Sequence, residues 1–198
     1  MLPQVVAWLA VGIIAVSATG VLLARDWRWN LGLIAAQYLG AATLASAHWP
    51  LGMAAAMLVT GWMSVAALGM TLTTLPARLE PQETSWPQGR AFRLFMAGMI
   101  FVLAAGLTPR VESFLAGIEA PVITGAILLA GIACLQLGTS SHVTRIIPGL
   151  LTFLAGFEVF YAAVEGSILV AGMLSVVILG LGLVGAYLLN LSFPEESS

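Results

Sequence analysis

The sequence predicts an all-α polytopic membrane helix bundle of about seven transmembrane helices, with the N-terminus outside and the C-terminus inside. Three observations lead there. Of 198 residues, 60% are hydrophobic and only 8% charged, against roughly 25% charged in a soluble domain. Apolar runs recur at the ~20-residue length that crosses the hydrocarbon of a bilayer. The cationic residues, all arginine, collect in alternate loops.

The spans follow in order. The first covers about 3–24, the second 29–47 and the third 50–72. A polar loop over 73–90 follows, with Pro76, Pro81 and Pro87 and both signs of charge. The fourth span is 91–107. Residues 108–119, with Arg110, Glu112, Phe114, Leu115 and Ile118, read as a short interfacial helix. The fifth, sixth and seventh spans are 121–138, 146–164 and 166–191, and 192–198 form a polar tail. By domain, 1–72 is an N-terminal three-helix unit, 73–90 a cytoplasmic loop, 91–119 the fourth helix with its interfacial segment, and 120–191 a C-terminal three-helix unit. Pro3, Pro50, Pro121 and Pro148 fall in first turns, where the missing N–H costs nothing. The runs are apolar on every face and twice the length of a barrel strand, which would alternate apolar and polar residues. The first run has no basic residue before it and is long enough to span, so it reads as a retained helix rather than a cleaved signal.

Orientation comes from arginine. Arg25, Arg28, Arg78, Arg90, Arg93 and Arg145 fall in the loops after the first, third and fifth helices, and only Arg110 on the other side. Positive residues mark the cytoplasmic face. Trp27, Trp29, Trp49 and Trp86 border the spans and suit interfacial anchoring. The 21 glycines suit close helix packing in lipid.

Several functions are excluded or unsupported. A net charge of −2 gives no basic face for nucleic acid. Cys134 stands alone in an apolar run and reads as a small buried hydrophobe. His48 and His142 fall in loops of opposite sidedness and form no metal pair. No catalytic motif is present, and no cofactor or metal is expected of this chain; any redox cofactor would belong to other subunits.

One residue stands apart. Glu158 lies past the middle of the sixth span, in Leu154-Ala155-Gly156-Phe157-Glu158-Val159-Phe160. A carboxylate at mid-membrane costs roughly 2.5–3.5 kcal/mol on insertion scales, so its default reading is functional. Desolvation disfavours the charged form, and a carboxyl so placed can load and release a proton. Structurally, it could instead lock helices together. Leu151, Ala155, Glu158, Ala162 and Glu165 share a helix face, with Tyr161 at its border. Tyr161, Glu165 and Arg145 complete the candidate proton-transfer set. Glu165 lies roughly 10 Å from Glu158 along the axis, at the outer edge where water can solvate it, and Arg145 about 20 Å away near the inner edge. Gln37, Tyr38, Thr60, Ser64 and Gln136 are buried polar residues suited to interhelical hydrogen bonds; Gln37, Gln136 and Thr60 are the secondary polar candidates.

The stretches Gly125-Ala126-Ile127-Leu128-Leu129-Ala130-Gly131-Ile132, Thr144-Arg145-Ile146-Ile147 and 154–160 carry a resemblance. Over its last three spans the chain resembles the three-helix small subunit of complex I (the NuoK type) and the related subunits of Mrp antiporters and of membrane-bound hydrogenases, including the hydrogenase-4 component E type. In that family an apolar helix leads to a short basic turn, and the next helix carries a Gly-hydrophobe-Glu element whose Glu takes part in proton transfer. The resemblance assigns that role to Glu158. The complex I subunit has a second Glu within its third helix; here the seventh span carries no charge and Glu165 precedes it. The first three spans repeat the plan, with Arg25 and Arg28 in the turn and Gln37 in the next helix, as a duplication in which Glu became Gln would produce.

The resemblance implies a small subunit of a multisubunit ion-translocating energy-conversion complex, with no catalytic constellation of its own, in a bacterial inner membrane. Its partners would be antiporter-like membrane subunits and lipid. The alternatives are a purely structural accessory subunit of a respiratory or photosynthetic complex, and a stand-alone small transporter.

Overall fold

The computed structural model describes residues 4–24, 26–74, 89–115, 117–140 and 142–191. They form seven helices: α1 (Gln4–Leu23), α2 (Trp27–Ala45), α3 (Leu51–Thr74), α4 (Arg90–Phe114), α5 (Ala120–Thr139), α6 (Val143–Val164) and α7 (Ile168–Leu191). Pro3, Arg25, Arg78, Trp86, most of the predicted 73–90 loop and the 192–198 tail lie outside the described residues.

Six of the helices are long and apolar enough to cross a membrane; α2 is not among them. It carries Asn30, Gln37 and Tyr38, which it tolerates because it touches α1, α3, α5 and α6, while Arg28 is exposed in its first turn. Large apolar residues instead line the outside of the bundle, among them Phe95, Val102, Met173 and Val176. An outer surface of that kind belongs in lipid.

The helices form two layers. One holds α1, α2 and α3, the other α5, α6 and α7, and α1 packs on α5, α2 on α6 and α3 on α7. Helix α4 packs on α5 and α1, at one end of the layers. Each layer repeats the other with a nearly fixed shift. Helix α5 begins 116 residues after α1 (Gln4, Ala120), α6 begins 116 after α2 (Trp27, Val143), and α7 begins 117 after α3 (Leu51, Ile168). Hydrogen bonds between matched helices join residues 113, 115, 116 and 114 apart. Matched helices therefore run parallel, and like helix packs on like, so the second layer is close to a translated copy of the first. Inside the layers the packing is also repeated. Gly40 of α2 sits on Ala10 and Ile14 of α1, and Gly156 of α6 sits on Ala126, Leu129 and Ala130 of α5. This register corrects the Glu-to-Gln expectation: a shift of 116 sets Glu158 opposite Ala42, and Gln37 opposite Phe153.

Several boundaries differ from expectation. Residues 108–114 are not a separate interfacial helix but the last turns of α4, which continues through Pro109. Proline within a membrane helix is tolerated where hydroxyls and neighbouring helices satisfy nearby backbone. Here Thr108 donates to the Ala104 carbonyl at 2.7 Å, and its hydroxyl meets Thr124 of α5 at 3.0 Å. The chain turns at Gly117, whose φ of 107° suits glycine. Helix α6 starts at Val143, which puts Pro148 in its second turn rather than its first. Helix α3 runs to Thr74, two residues into the predicted loop. Asp26 caps α2, its carboxylate accepting from the Arg28 N–H at 2.9 Å.

Three side chains are placed differently from the sequence reading. Trp49 is buried rather than interfacial; its indole N–H donates to the Glu165 carbonyl at 3.0 Å and its ring meets Tyr161 edge-on. Cys134 is exposed on α5, not buried; a thiol behaves as a small hydrophobe, so lipid contact costs it little. Arg93 is buried in the first turn of α4 and reaches the Leu22 carbonyl at the end of α1, where a cation complements the helix dipole.

The close approach of α3 to α7 gives a test. A Cβ on Gly182 would lie 2.8 Å from the Ser64 backbone, whereas Gly180 faces open space. Gly182→Val should cost about 1–3 kcal/mol through overpacking. Gly180→Ala should leave stability unchanged or raise it by up to about 1 kcal/mol. Thermal unfolding in detergent reads both.

Candidate functional site

The centre of the bundle is built where α2 crosses α6. Tyr38 is fully buried and its hydroxyl donates to the Leu151 carbonyl at 3.1 Å. Its ring lies against Gly61 of α3, where a Cβ would overlap the ring. The neighbouring Gln37, also fully buried, accepts a hydrogen bond from the Thr152 hydroxyl at 3.1 Å through Oε1, while its Nε2 has no partner among the described residues.

Glu158 belongs to the same seam. It is 0% exposed, on the α6 face that buries Leu151, Ala155 and Ala162. Both carboxyl oxygens lack a hydrogen-bond partner among the described residues. The enclosure is provided entirely by this chain. A side chain in a helix leans toward the N-terminal end of that helix, so Glu158 leans toward the level of Thr152 and Tyr38.

The other predicted site residues are spread along α6 and its surroundings. Tyr161 is half-buried, stacked on Phe157 and edge-on to Trp49. Glu165 is exposed beyond the end of α6, and its backbone carbonyl, not its carboxylate, meets Trp49. Arg145 sits in the first turn of α6, half-buried, and its carbonyl accepts from Gln136 Nε2 at 2.9 Å. Among the described residues neither Arg145 nor Glu165 donates a hydrogen bond to Glu158. Gln136 is buried, with Oε1 unpartnered among the described residues. Thr60 satisfies itself on the Ala56 and Met57 carbonyls of its own helix. Among the described residues no group of His, Cys, Asp and Glu could hold a metal ion.

Sequence reasoning missed Thr152. It sits seven residues before Val159 and one after Leu151, both buried on α6, and that buried helical spacing was the available signal. The fold and this site define a polytopic helical membrane protein that encloses an unpartnered carboxyl group. Comparison with protein-family models, curated proteins and solved structures finds no match.

The Tyr38 bond is directly testable. Tyr38→Phe removes one interhelical hydrogen bond and should cost about 0.6–1.7 kcal/mol. Tyr38→Ala also opens a cavity and should cost about 3–5 kcal/mol. Equilibrium unfolding in mixed micelles distinguishes the two.

Proposed function

We propose that this chain is a small membrane subunit of a multisubunit proton- or ion-translocating energy-conversion complex, with Glu158 as a proton-loading group. The observation that carries the reading is Glu158 itself, buried in a membrane helix with neither oxygen paired among the described residues. An ionisable side chain in such a place is costly and marks proton relays and ion pathways. The resemblance of the last three helices to the small subunits of complex I, Mrp antiporters and membrane-bound hydrogenases points the same way. The partners in this reading are antiporter-like membrane subunits, which would cover part of the apolar outer surface, with lipid on the rest.

The host membrane is taken as a bacterial inner membrane, with the N-terminus outside. The described arginines support that orientation. Arg93 reaches the end of α1, and Arg28, Arg90 and Arg145 lie in first turns at the same end of the bundle, while Arg110 lies near the far end of α4. A reporter fused after Ser198 should read cytoplasmic; a periplasmic signal would reverse the assignment.

One observation favours a second reading. Two parallel repeats with a polar site between them also describe small transporters. The helices at the seam are continuous, however, and transporter sites are typically formed by broken helices.

Glu158→Gln separates these readings. In the host complex it should leave assembly normal and reduce proton pumping at least tenfold. Lost assembly would make the residue structural, and proton movement by the purified single chain in liposomes would make it a transporter.

A further inference from the structure

We propose that the α2–α6 seam binds a file of water molecules, a proton half-channel that runs from the arginine-bearing end of the bundle through Asn30 and the Gln37–Thr152 pair to Glu158. The inference deepens the proton-loading role proposed above and rests on it for the direction of net transfer.

The entrance is a cavity of about 10 Å³ bordered by Trp27, Asn30, Leu68, Thr144, Pro148 and Leu189. That is close to the room one water molecule requires. Asn30 Oδ1 is buried there without a partner among the described residues. Pro148 has no N–H to give to the Thr144 carbonyl four residues earlier. A water at this point can donate one hydrogen to each of the two oxygens.

The next station lies above it. Gln37 follows Asn30 by seven residues, so it shares the same face of α2 about 10 Å further along. With Oε1 engaged by Thr152, its Nε2 offers donors and finds no acceptor. Glu158 is six residues beyond Thr152, about 9 Å along the axis, and its side chain leans back toward that level. Its oxygens are acceptors that find no donor. Unanswered donors below and unanswered acceptors above have the complementarity that water between them would satisfy.

Beyond Glu158 the seam closes. Tyr161 stacks on Phe157 and meets Trp49, whose indole is tied to the Glu165 carbonyl. These contacts close the seam at that end, so the water file is proposed from the opposite, arginine-bearing end. A proton entering at Asn30 passes from water to water, each accepting one and releasing another. It ends on the Glu158 carboxylate, which becomes the neutral acid; release reverses the sequence. Gln37 and Thr152 orient the waters and keep their own protons overall.

The test is hydrogen–deuterium exchange at Glu158, followed by infrared spectroscopy of the full chain in lipid vesicles. Acidic buffer keeps the side chain protonated, and subtraction of Glu158→Gln assigns its carbonyl band. After mixing with heavy water the band should shift within seconds. Gln37→Leu, Thr152→Val and Asn30→Leu should each slow the shift at least tenfold. Thr152→Ser and Gln37→Asn should restore it, and Thr124→Val, away from the seam, should leave it unchanged. Equal rates in the wild type and the three apolar variants would overturn the proposal, as would a wild-type band that fails to shift over hours. If one apolar variant does not fold, the other two decide. The measurement needs no host complex: exchange blocked by Gln37→Leu, together with normal pumping by Glu158→Gln, would keep the water path and remove the proton-loading function.

Discussion

Tyr38 joins three helices at the middle of the bundle, and the two layers are set by it. Its ring needs the bare backbone of Gly61 on α3, and its hydroxyl needs the Leu151 carbonyl on α6. Lipid tails are as apolar as leucine, so helices in a bilayer associate through tight packing and interhelical hydrogen bonds rather than through the hydrophobic effect. The Tyr38 contact supplies both at once. It also fixes the register of α2 against α6, and that register brings Gln37 to Thr152 and holds Glu158 away from the outside.

Polar groups elsewhere show how strictly the interior is managed. Ser17, Thr60, Thr71, Thr108 and Thr139 return their hydroxyls to carbonyls of their own helices. Ser64 divides its hydroxyl between Thr60 of α3 and Ile178 of α7, so it also ties the layers. Against that background the buried polar atoms without a partner among the described residues stand out; Asn30 Oδ1, His48 Nδ1 and Gln136 Oε1 are among them, and the amide nitrogen of Gln37 and both oxygens of Glu158 lie on the α2–α6 seam. An unsatisfied polar group in hydrocarbon costs several kcal/mol. Its presence here marks a place where the protein gives up stability for another purpose.

Much of the fold was legible in the sequence because apolar run length sets helix length in a membrane. The seven helices and the position of Glu158 followed from that rule alone. Boundaries failed where local signals competed with packing. Arg110 and Glu112 made 108–119 read as a separate interfacial helix, yet α4 continues through Pro109 to Phe114, with Thr108 meeting Thr124 of α5. Trp49 read as an anchor because boundary position says nothing about a partner 116 residues away. Composition marked Gln37 and Tyr38 as buried polar residues but could not name Thr152 and Leu151 as their partners, since pairing is a property of helix register. The internal repeat was visible only as a shared plan. Its spacing, and the pairing of Glu158 with Ala42 in place of Gln37, required coordinates.

Helix α4 lies outside the two layers, and its place has a consequence of parity. An odd number of passes leaves a chain at the opposite end from where it began. A second trio copied directly after the first would then enter upside down, and the like helices of the two copies would run antiparallel. One additional pass brings the chain back. The single helix between the trios thus decides the relative orientation of the two halves: it is what lets two copies of one plan stand side by side with the same polarity.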